Sequence, residues 1–288
     1  MLRATCRLCF SSDLRLHFAV RGSTLDRCRG CGFVQVRDQP SEHDLETLYG
    51  DGYFERGKYD QEFARRRETE RRLGLLERAR ISSGGRVLDA GCATGDFLAA
   101  ASPRYEMWGL DVSAYATGLA RAQNPGLAAH IFTGFIEQQS FEPRSFDAIV
   151  MWDVIEHIWD PRSVLSRLVE HLRPGGSLIL STPDIGAAVA RAMRRRWAFM
   201  TPPEHLGFFN RGSLGFLLET ALGLEIAHSE SSGKWTNLGF LVYKLGRVFP
   251  GAVRPGLVRR VQESALATAA VYVPTADVRY VLARKGEA

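Results

Sequence analysis

Between Arg86 and Ser181 the chain repeats one unit, a short apolar run followed by a break and then a helical segment. The runs Arg86-Val87-Leu88-Asp89-Ala90, Met107-Trp108-Gly109-Leu110-Asp111, Phe146-Asp147-Ala148-Ile149-Val150-Met151 and Ser177-Leu178-Ile179-Leu180-Ser181 predict strands, and residues 96–101, 113–123, 161–172 and 211–222 predict helices. Strands that are apolar nearly throughout need cover on both faces. The alternation therefore predicts an α/β fold, a mainly parallel sheet with helices on each side. A ligand of such a sheet sits beyond the carboxyl ends of the strands, where strand order reverses.

The first strand runs into Asp89-Ala90-Gly91-Cys92-Ala93-Thr94-Gly95-Asp96, an acid followed by a loop of small residues that opens a helix. Glycine lets the backbone turn where a side chain resists and lets a ligand approach the chain closely. No Lys-Ser/Thr follows the glycines, which excludes a triphosphate loop. The central glycine of a dinucleotide fingerprint is missing too. Asp111 ends the next strand, 22 residues after Asp89, where a carboxylate accepts hydrogen bonds from two ribose hydroxyls. Glycine loop plus second acid thus specifies a nucleoside without a diphosphate. Cys92 lies inside the loop with no local His and Asp to activate it, so packing is its expected role.

With Gly109-Leu110-Asp111-Val112-Ser113, the run from Phe146 through Trp152-Asp153-Val154-Ile155-Glu156-His157 to Pro161, and Leu172-Arg173-Pro174-Gly175-Gly176, the loop forms an ordered set over residues 81–230. In these motifs the chain resembles the class I S-adenosylmethionine-dependent methyltransferases. The resemblance implies a seven-stranded Rossmann-like sheet of order 3-2-1-4-5-7-6 with its last strand antiparallel. It also implies S-adenosyl-L-methionine as cofactor, with the methionine moiety over Gly91, Cys92, Ala93, Thr94 and Gly95 and the ribose on Asp111 and Val112. Asp89, Trp152 and Asp153 belong to the same expected donor site. Where the family often sets an acid beside adenine, this chain has Thr133-Gly134-Phe135-Ile136-Glu137. Adenine would then rest on Phe135 and Ile136, with core packing as the alternative for Phe135.

Methyl transfer needs an acceptor aligned with the carbon–sulfur bond and, where required, a base. His157, coming off the fourth strand, is the first candidate base, with loop support as its rival role. His205 is the second, in a loop stiffened by Pro202 and Pro203, where Glu204 would orient a ring or a hydroxyl. Arg191, Arg194, Arg195 and Arg196 precede that loop; facing the pocket they would favour an anionic acceptor, and otherwise they are a solvated surface.

Four of the five cysteines stand as Cys6-Arg7-Leu8-Cys9 and Cys28-Arg29-Gly30-Cys31, with 18 residues between the pairs. Two such turns present four thiolates inward, a set that suits a closed, structural zinc site in a zinc-ribbon-like module. This predicts three parts: the module over 1–37, a helical linker and acceptor-side cap over 38–80, and the methyltransferase domain over 81–288 with a helical insertion around 234–275. Two CxxC pairs, then Pro40-Ser41-Glu42-His43-Asp44-Leu45-Glu46-Thr47-Leu48-Tyr49, then the core, resemble bacterial methyltransferases acting on sugars, natural products or envelope components. That resemblance makes Tyr49, Tyr53, Phe54 and Tyr59 substrate-side candidates.

Charge bears on partners. Residues 81–230 carry 12 basic and 16 acidic groups, and residues 231–288 carry 9 and 3. Acidity around the chemistry argues against nucleic acid, whereas the basic tail leaves peripheral membrane contact open. An N-terminus without an apolar core segment, and no apolar run of spanning length, predict a cytoplasmic protein. The expected function is methyl transfer to a small-molecule acceptor, anionic or glycosylated, with an RNA methyltransferase and a non-catalytic donor-binding interaction protein as the alternatives.

Overall fold

The computed structural model describes residues 5–39, 62–139, 141–248 and 255–287. Its larger sheet has seven strands. β4 (Arg86–Ala90), β5 (Glu106–Asp111), β6 (Ile131–Thr133), β7 (Phe146–Trp152) and β8 (Leu172–Pro183) are parallel. β11 (Ala270–Arg284) runs antiparallel to both β8 and β10 (Glu225–Asn237). The order is β10-β11-β8-β7-β4-β5-β6, which is 3-2-1-4-5-7-6 when the seven are numbered among themselves. Strand order reverses between β4 and β7, whose carboxyl ends carry Ala90 and Trp152.

Successive residues of one strand serve opposite faces, as a pleat requires. Val87 joins a core with Phe97, Leu98, Met107, Ala148, Val150 and Leu282, whereas Leu88 joins one with Leu110, Ile149, Met151, Leu165 and Leu180. Helices cover both faces. α1 (Glu62–Ala79) buries Leu75 and Leu76 on the first, with α2 (Asp96–Ala101) and α3 (Ala114–Gln123) close by. α4 (Pro161–His171) covers the second, started by Asp160, whose side chain accepts from the Ser163 N–H. Leu73 is half-buried, while Phe63 and Arg65–Arg67 stay exposed, so those arginines form a solvated face.

At the N-terminus β1 (Leu14–Val20), β2 (Ser23–Cys28) and β3 (Val34–Val36) form an antiparallel meander. Its fourth strand comes from far along the chain: β9 (Gly207–Phe208) pairs with β3, Val34 opposite Phe208 and Gln35 opposite Gly207. Gly207 is required there, because a Cβ would lie 2.6 Å from the Phe33 ring. Phe18, Leu25, Val34 and Val36 share a core with Trp197, Met200 and Phe208, and Phe33 packs on Phe209 with ring centroids 4.8 Å apart. The cysteine-bearing meander therefore does not close at residue 37; its sheet and core are completed by residues 190–209.

β10 and β11 run on past a shift of register between Ser232 and Lys234. The segment expected to be helical over 234–275 begins and ends as strand, with Lys234–Asn237 paired to Ala270–Val273. Among the described residues of that segment helix is confined to α7 (Leu238–Val248), α8 (Pro255–Gln262) and a 3₁₀ turn at Ala265–Thr268. Between β8 and β9 lies α5 (Ala188–Met193), and α6 (Arg211–Gly215) continues as a π turn over Phe216–Ala221. Among the described residues no helix is long and apolar enough to cross a membrane.

Candidate functional site

Four strand ends and one helix come together around the glycine turn. The Asp111 carboxylate is fixed by two backbone donors, Ala93 N–H to Oδ2 and Ser113 N–H to Oδ1, each at 2.9 Å. Each oxygen keeps a lone pair for a further donor. Burial pushes the Asp111 carboxyl up from its ordinary range, and the bonds from Ser113 and Ala93 act against that rise. Gly91 (φ 98°) makes the turn in which Ala93 stands, and a Cβ on it would lie 2.3 Å from Val154 Cγ2. The loop is thus folded against the start of the turn that carries His157.

Asp89 is fully enclosed, and burial raises its carboxyl to about 7, opposed by Arg72. Asp89 Oδ1 and Trp152 Nε1 are both buried without a hydrogen-bond partner among the described residues. Two orphaned polar atoms beside a glycine turn suit a site that a polar ligand completes. Val112 and Phe135 flank Asp111 and are 43% and 53% exposed, so Phe135 is not core, while Ile136 is half-buried. Cys92 packs under Gly109, whose Cβ would meet its sulfur at 3.0 Å, and burial pushes its thiol upward. That surrounding suits packing rather than nucleophilic attack. Thr94 is half-buried in the same loop.

Asp153 has a left-handed backbone (φ 56°), a conformation held by its surroundings. Its N–H donates to Ser181 O at 3.1 Å, and Ser181 Oγ donates to its Oδ1 at 2.9 Å. Arg72 of α1 donates to its Oδ2 at 3.1 Å and lies over the Trp152 ring. Arg72 is absent from the sequence reading, where it is one cation in a charged helix; only its i,i+4 spacing from Glu68, which it meets at 3.4 Å, set it apart.

Glu156, His157 and His205 come together beyond the end of β7, with ligand atoms within 4.8 Å of one another. His157 Nδ1 lies 2.8 Å from the Glu204 carbonyl oxygen. A carbonyl only accepts, so Nδ1 holds the hydrogen and Nε2 holds the lone pair. The His157 and His205 rings meet edge to face at 4.8 Å, and His205, buried, also packs on Phe199. Glu156 accepts from Thr182 Oγ1 at 2.9 Å, and burial, with Asp153 nearby, lifts its carboxyl to about 8. Lys234 sets its Nζ 3.5 Å above the Phe199 ring. Lys234 is exposed, though the protein around it partly desolvates its ammonium and lowers its pKa, while Asp153 and Asp277 pull it back up. Glu156 stands within the run that continues from the fourth strand, whereas Lys234 is marked by no motif.

Residues 61–229, over half of the chain, match the model of a family described as a methyltransferase domain. The chain belongs to this methyltransferase family. It is 34% identical over 150 residues to a probable S-adenosylmethionine-dependent methyltransferase of Mycolicibacterium smegmatis, covering 50% of this chain and 53% of the relative. It is 32% identical over 164 residues to a ubiquinone biosynthesis O-methyltransferase of Klebsiella pneumoniae, covering 50% of this chain and 67% of that protein. The chain thus spans only about half the length of the first named relative. The crystal structure of the YcgJ protein from Bacillus subtilis shares the fold, with a TM-score of 0.53 at 16% identity, over 75% of this chain and 98% of that one.

Outside the methyltransferase sheet, Cys6, Cys9, Cys28 and Cys31 bring their sulfurs within 4.8 Å of one another, with Cys6 to Cys31 at 3.6 Å and Cys9 to Cys28 at 3.4 Å. Tetrahedral sulfur at ~2.3 Å from zinc has edges of about 3.8 Å, so the four are arranged to receive such an ion. Arg7, between the first two cysteines, donates to Leu206 O at 2.8 Å and Val36 O at 3.2 Å and stacks 3.6 Å over Trp159. The cysteine turn is thereby tied to the residue after His205. His17 lies beside Phe18 on β1, away from the cysteine set. His43, Tyr49, Tyr53, Phe54 and Tyr59 lie outside the described residues.

Proposed function

We propose that the chain transfers a methyl group from S-adenosylmethionine to a small molecule, with a structural zinc held by Cys6, Cys9, Cys28 and Cys31. The observation that carries the donor assignment is Asp111, fixed by Ala93 and Ser113 against the glycine turn with one lone pair free on each oxygen. Gly91, Ala93, Thr94 and Gly95 line the methionine end, Val112, Phe135 and Ile136 the adenine. The bound sulfonium supplies an electrophilic methyl and needs no metal to activate it. What the protein adds is placement, exclusion of water and removal of a proton from the acceptor. At neutral pH Glu156 is mostly protonated, whereas the Glu204 carbonyl fixes the hydrogen on His157 Nδ1 and makes Nε2 the nitrogen that would take a proton; His157 is therefore the better base, with His205 packed against it and Lys234 and Glu204 on the acceptor's side. The four cysteines leave no open coordination position, so the ion stabilises rather than reacts. The names of the ubiquinone biosynthesis relatives favour an oxygen acceptor among sugars, natural products and envelope precursors.

Calorimetry with S-adenosylhomocysteine tests the donor site. Asp111→Ala should weaken binding by roughly 1.5–3 kcal/mol, about tenfold to a hundredfold; unchanged affinity removes Asp111 from the site. Labelled donor offered to pools of small molecules and of RNA tests the reaction. Label in RNA, with binding that falls steeply with salt, selects an RNA methyltransferase; donor binding without transfer to any pool selects a donor-binding interaction protein.

A further inference from the structure

Several arginines of this chain find a carboxylate. Arg86 meets Glu106 at 3.0 Å, Arg173 meets Asp147 at 2.6 Å, Arg37 meets Asp26 at 2.7 Å, and Arg66 and Arg67 both reach Glu70. One group does not. Between β1, β2 and the methyltransferase sheet lies a cavity of about 380 Å³ lined by Arg27, Arg191, Arg194, Arg211, Arg279 and His17. Asp184 is the one acid in its wall, and it is buried and spent on Arg279, which donates to Oδ2 from Nε at 2.9 Å and from Nη2 at 2.7 Å. Among the described residues no carboxylate lies within ion-pair distance of Arg27, Arg191, Arg194 or Arg211.

Four unpaired guanidinium groups around one concavity repel one another, and the surface gains when an anion enters. The side chains come from three separate parts of the chain, so their convergence is made by the fold. Arg27 stands on β2, Arg191 lies on α5 and Arg194 just after it, and Arg211 opens α6. Arg194 has φ 50°, which turns the chain between α5 and the next 3₁₀ turn while Arg191 and Arg194 both line the cavity. All four are exposed to solvent and so open to a ligand. Half-buried His17 has its pKa lowered by burial and then by Arg27 and Arg194, a sign of the positive potential there. Guanidinium is the group that meets phosphate oxygens with paired, directional donors. The cavity lies apart from the acceptor-side cluster: Met200 lines it, whereas Phe199, one residue earlier, packs on His205 and under Lys234.

We propose that this arginine cavity binds the phosphate group of a phosphorylated small molecule. The assignment stands on the cavity alone and does not depend on the methyl-transfer reading. A concavity of about 380 Å³ with its cations on the wall suits a small ligand, whereas an RNA strand is read along an extended groove with aromatic platforms.

Inorganic pyrophosphate is the probe, titrated by calorimetry into the full chain at constant ionic strength. One saturable site is expected, at least tenfold weaker in Arg191→Gln and in Arg211→Gln and unchanged in Arg66→Gln, whose residue sits on α1 beside Glu70. Because a variant can lose its fold, the second measurement uses the unaltered protein: phenylglyoxal modification followed by mass spectrometry. Pyrophosphate should shield Arg27, Arg191, Arg194 and Arg211 and leave Arg66 reactive. No saturable uptake, equal uptake in the cavity variants, or shielding spread evenly over all arginines overturns the proposal. So does an RNA oligomer that binds the same arginines more tightly than pyrophosphate with a steep salt dependence.

Discussion

Replacing Arg7 by Leu tests whether the cysteine meander holds the acceptor loop in place. Arg7 donates to two carbonyls of two different segments, Val36 and Leu206, and its guanidinium lies 3.6 Å over the Trp159 ring. A hydrogen bond from a charged donor contributes about 1.5–3 kcal/mol, and a partly desolvated cation over an aromatic face about 0.5–2 kcal/mol. Two such bonds and one stack sum to about 3.5–8 kcal/mol; leucine packing against Trp159 offsets part of this, so a loss of about 3–5 kcal/mol is expected. Urea unfolding measures the total. Hydrogen exchange locates it, because the Leu206 N–H donates to Glu156 O at 2.8 Å and the Val36 N–H to Leu206 O at 3.0 Å. Arg7→Leu should deprotect these two amides far more than those of β4, and Arg7→Lys, which keeps a charge but not the fork, should recover less than half. A loss below about 1 kcal/mol, or unaltered protection at Val36 and Leu206, would refute the reasoning.

Gly91→Ala should cost more than about 2 kcal/mol and abolish measurable donor binding, since its Cβ would sit 2.3 Å from Val154 Cγ2 at φ 98°; thermal unfolding and calorimetry check this, and adding Val154→Ala should relieve the clash but not the backbone strain. Glu156 is raised to about 8 from 4.5, so its stabilising contribution is fully present below pH 4.5 and is lost as pH rises through 8. Stability of the unaltered protein should fall across that window, and Glu156→Gln should flatten the upper part of the curve; a profile unchanged by Glu156→Gln contradicts the assignment. One zinc per chain is expected by elemental analysis, and Cys9→Ser should release it and loosen residues 206–208 along with the meander, seen as increased proteolysis there; iron instead of zinc, or unchanged proteolysis, would count against the site. If His157 is the base, His157→Gln should lower turnover roughly a hundredfold with donor affinity intact; weakened donor affinity instead assigns it to loop support.

The sheet was legible because its signal is local. Val87-Leu88, Ile149-Val150 and Ile179-Leu180 are pairs whose two side chains go to opposite faces and are both buried, so each run reads as a strand without knowledge of its neighbours. The glycine turn and Asp111 were legible for the same reason, each requirement being met within a few residues. The helical reading of 234–275 missed its strand ends because Lys234-Trp235-Thr236-Asn237 is weakly patterned alone, and pairing with Val271, Tyr272 and Val273 decides its conformation. Nor could a boundary drawn at residue 37 foresee that Gly207-Phe208 completes the first sheet.

The cluster around His157 and His205 was only half legible, and the reason is sequence distance. His157, His205 and Glu204 could be named from their motifs, but what fixes them comes from elsewhere. Arg7 reaches Leu206 across 199 positions, Arg72 reaches Asp153 across 81, and Tyr280 donates to Glu68 at 2.7 Å across 212. Each of these contacts is made by a residue type common on solvated surfaces, so nothing in its own neighbourhood distinguishes it. The pattern has a consequence for how the site is held. The donor half is built from strand ends of one sheet and needs only that sheet to form. The acceptor half places His157 on the turn after β7 and His205 one residue before Leu206, so it exists only when the meander is docked and β9 is paired to β3. Loosening the meander should then weaken acceptor handling before it weakens donor binding, because Asp111, Ala93 and Ser113 lie wholly within the larger sheet and its loops.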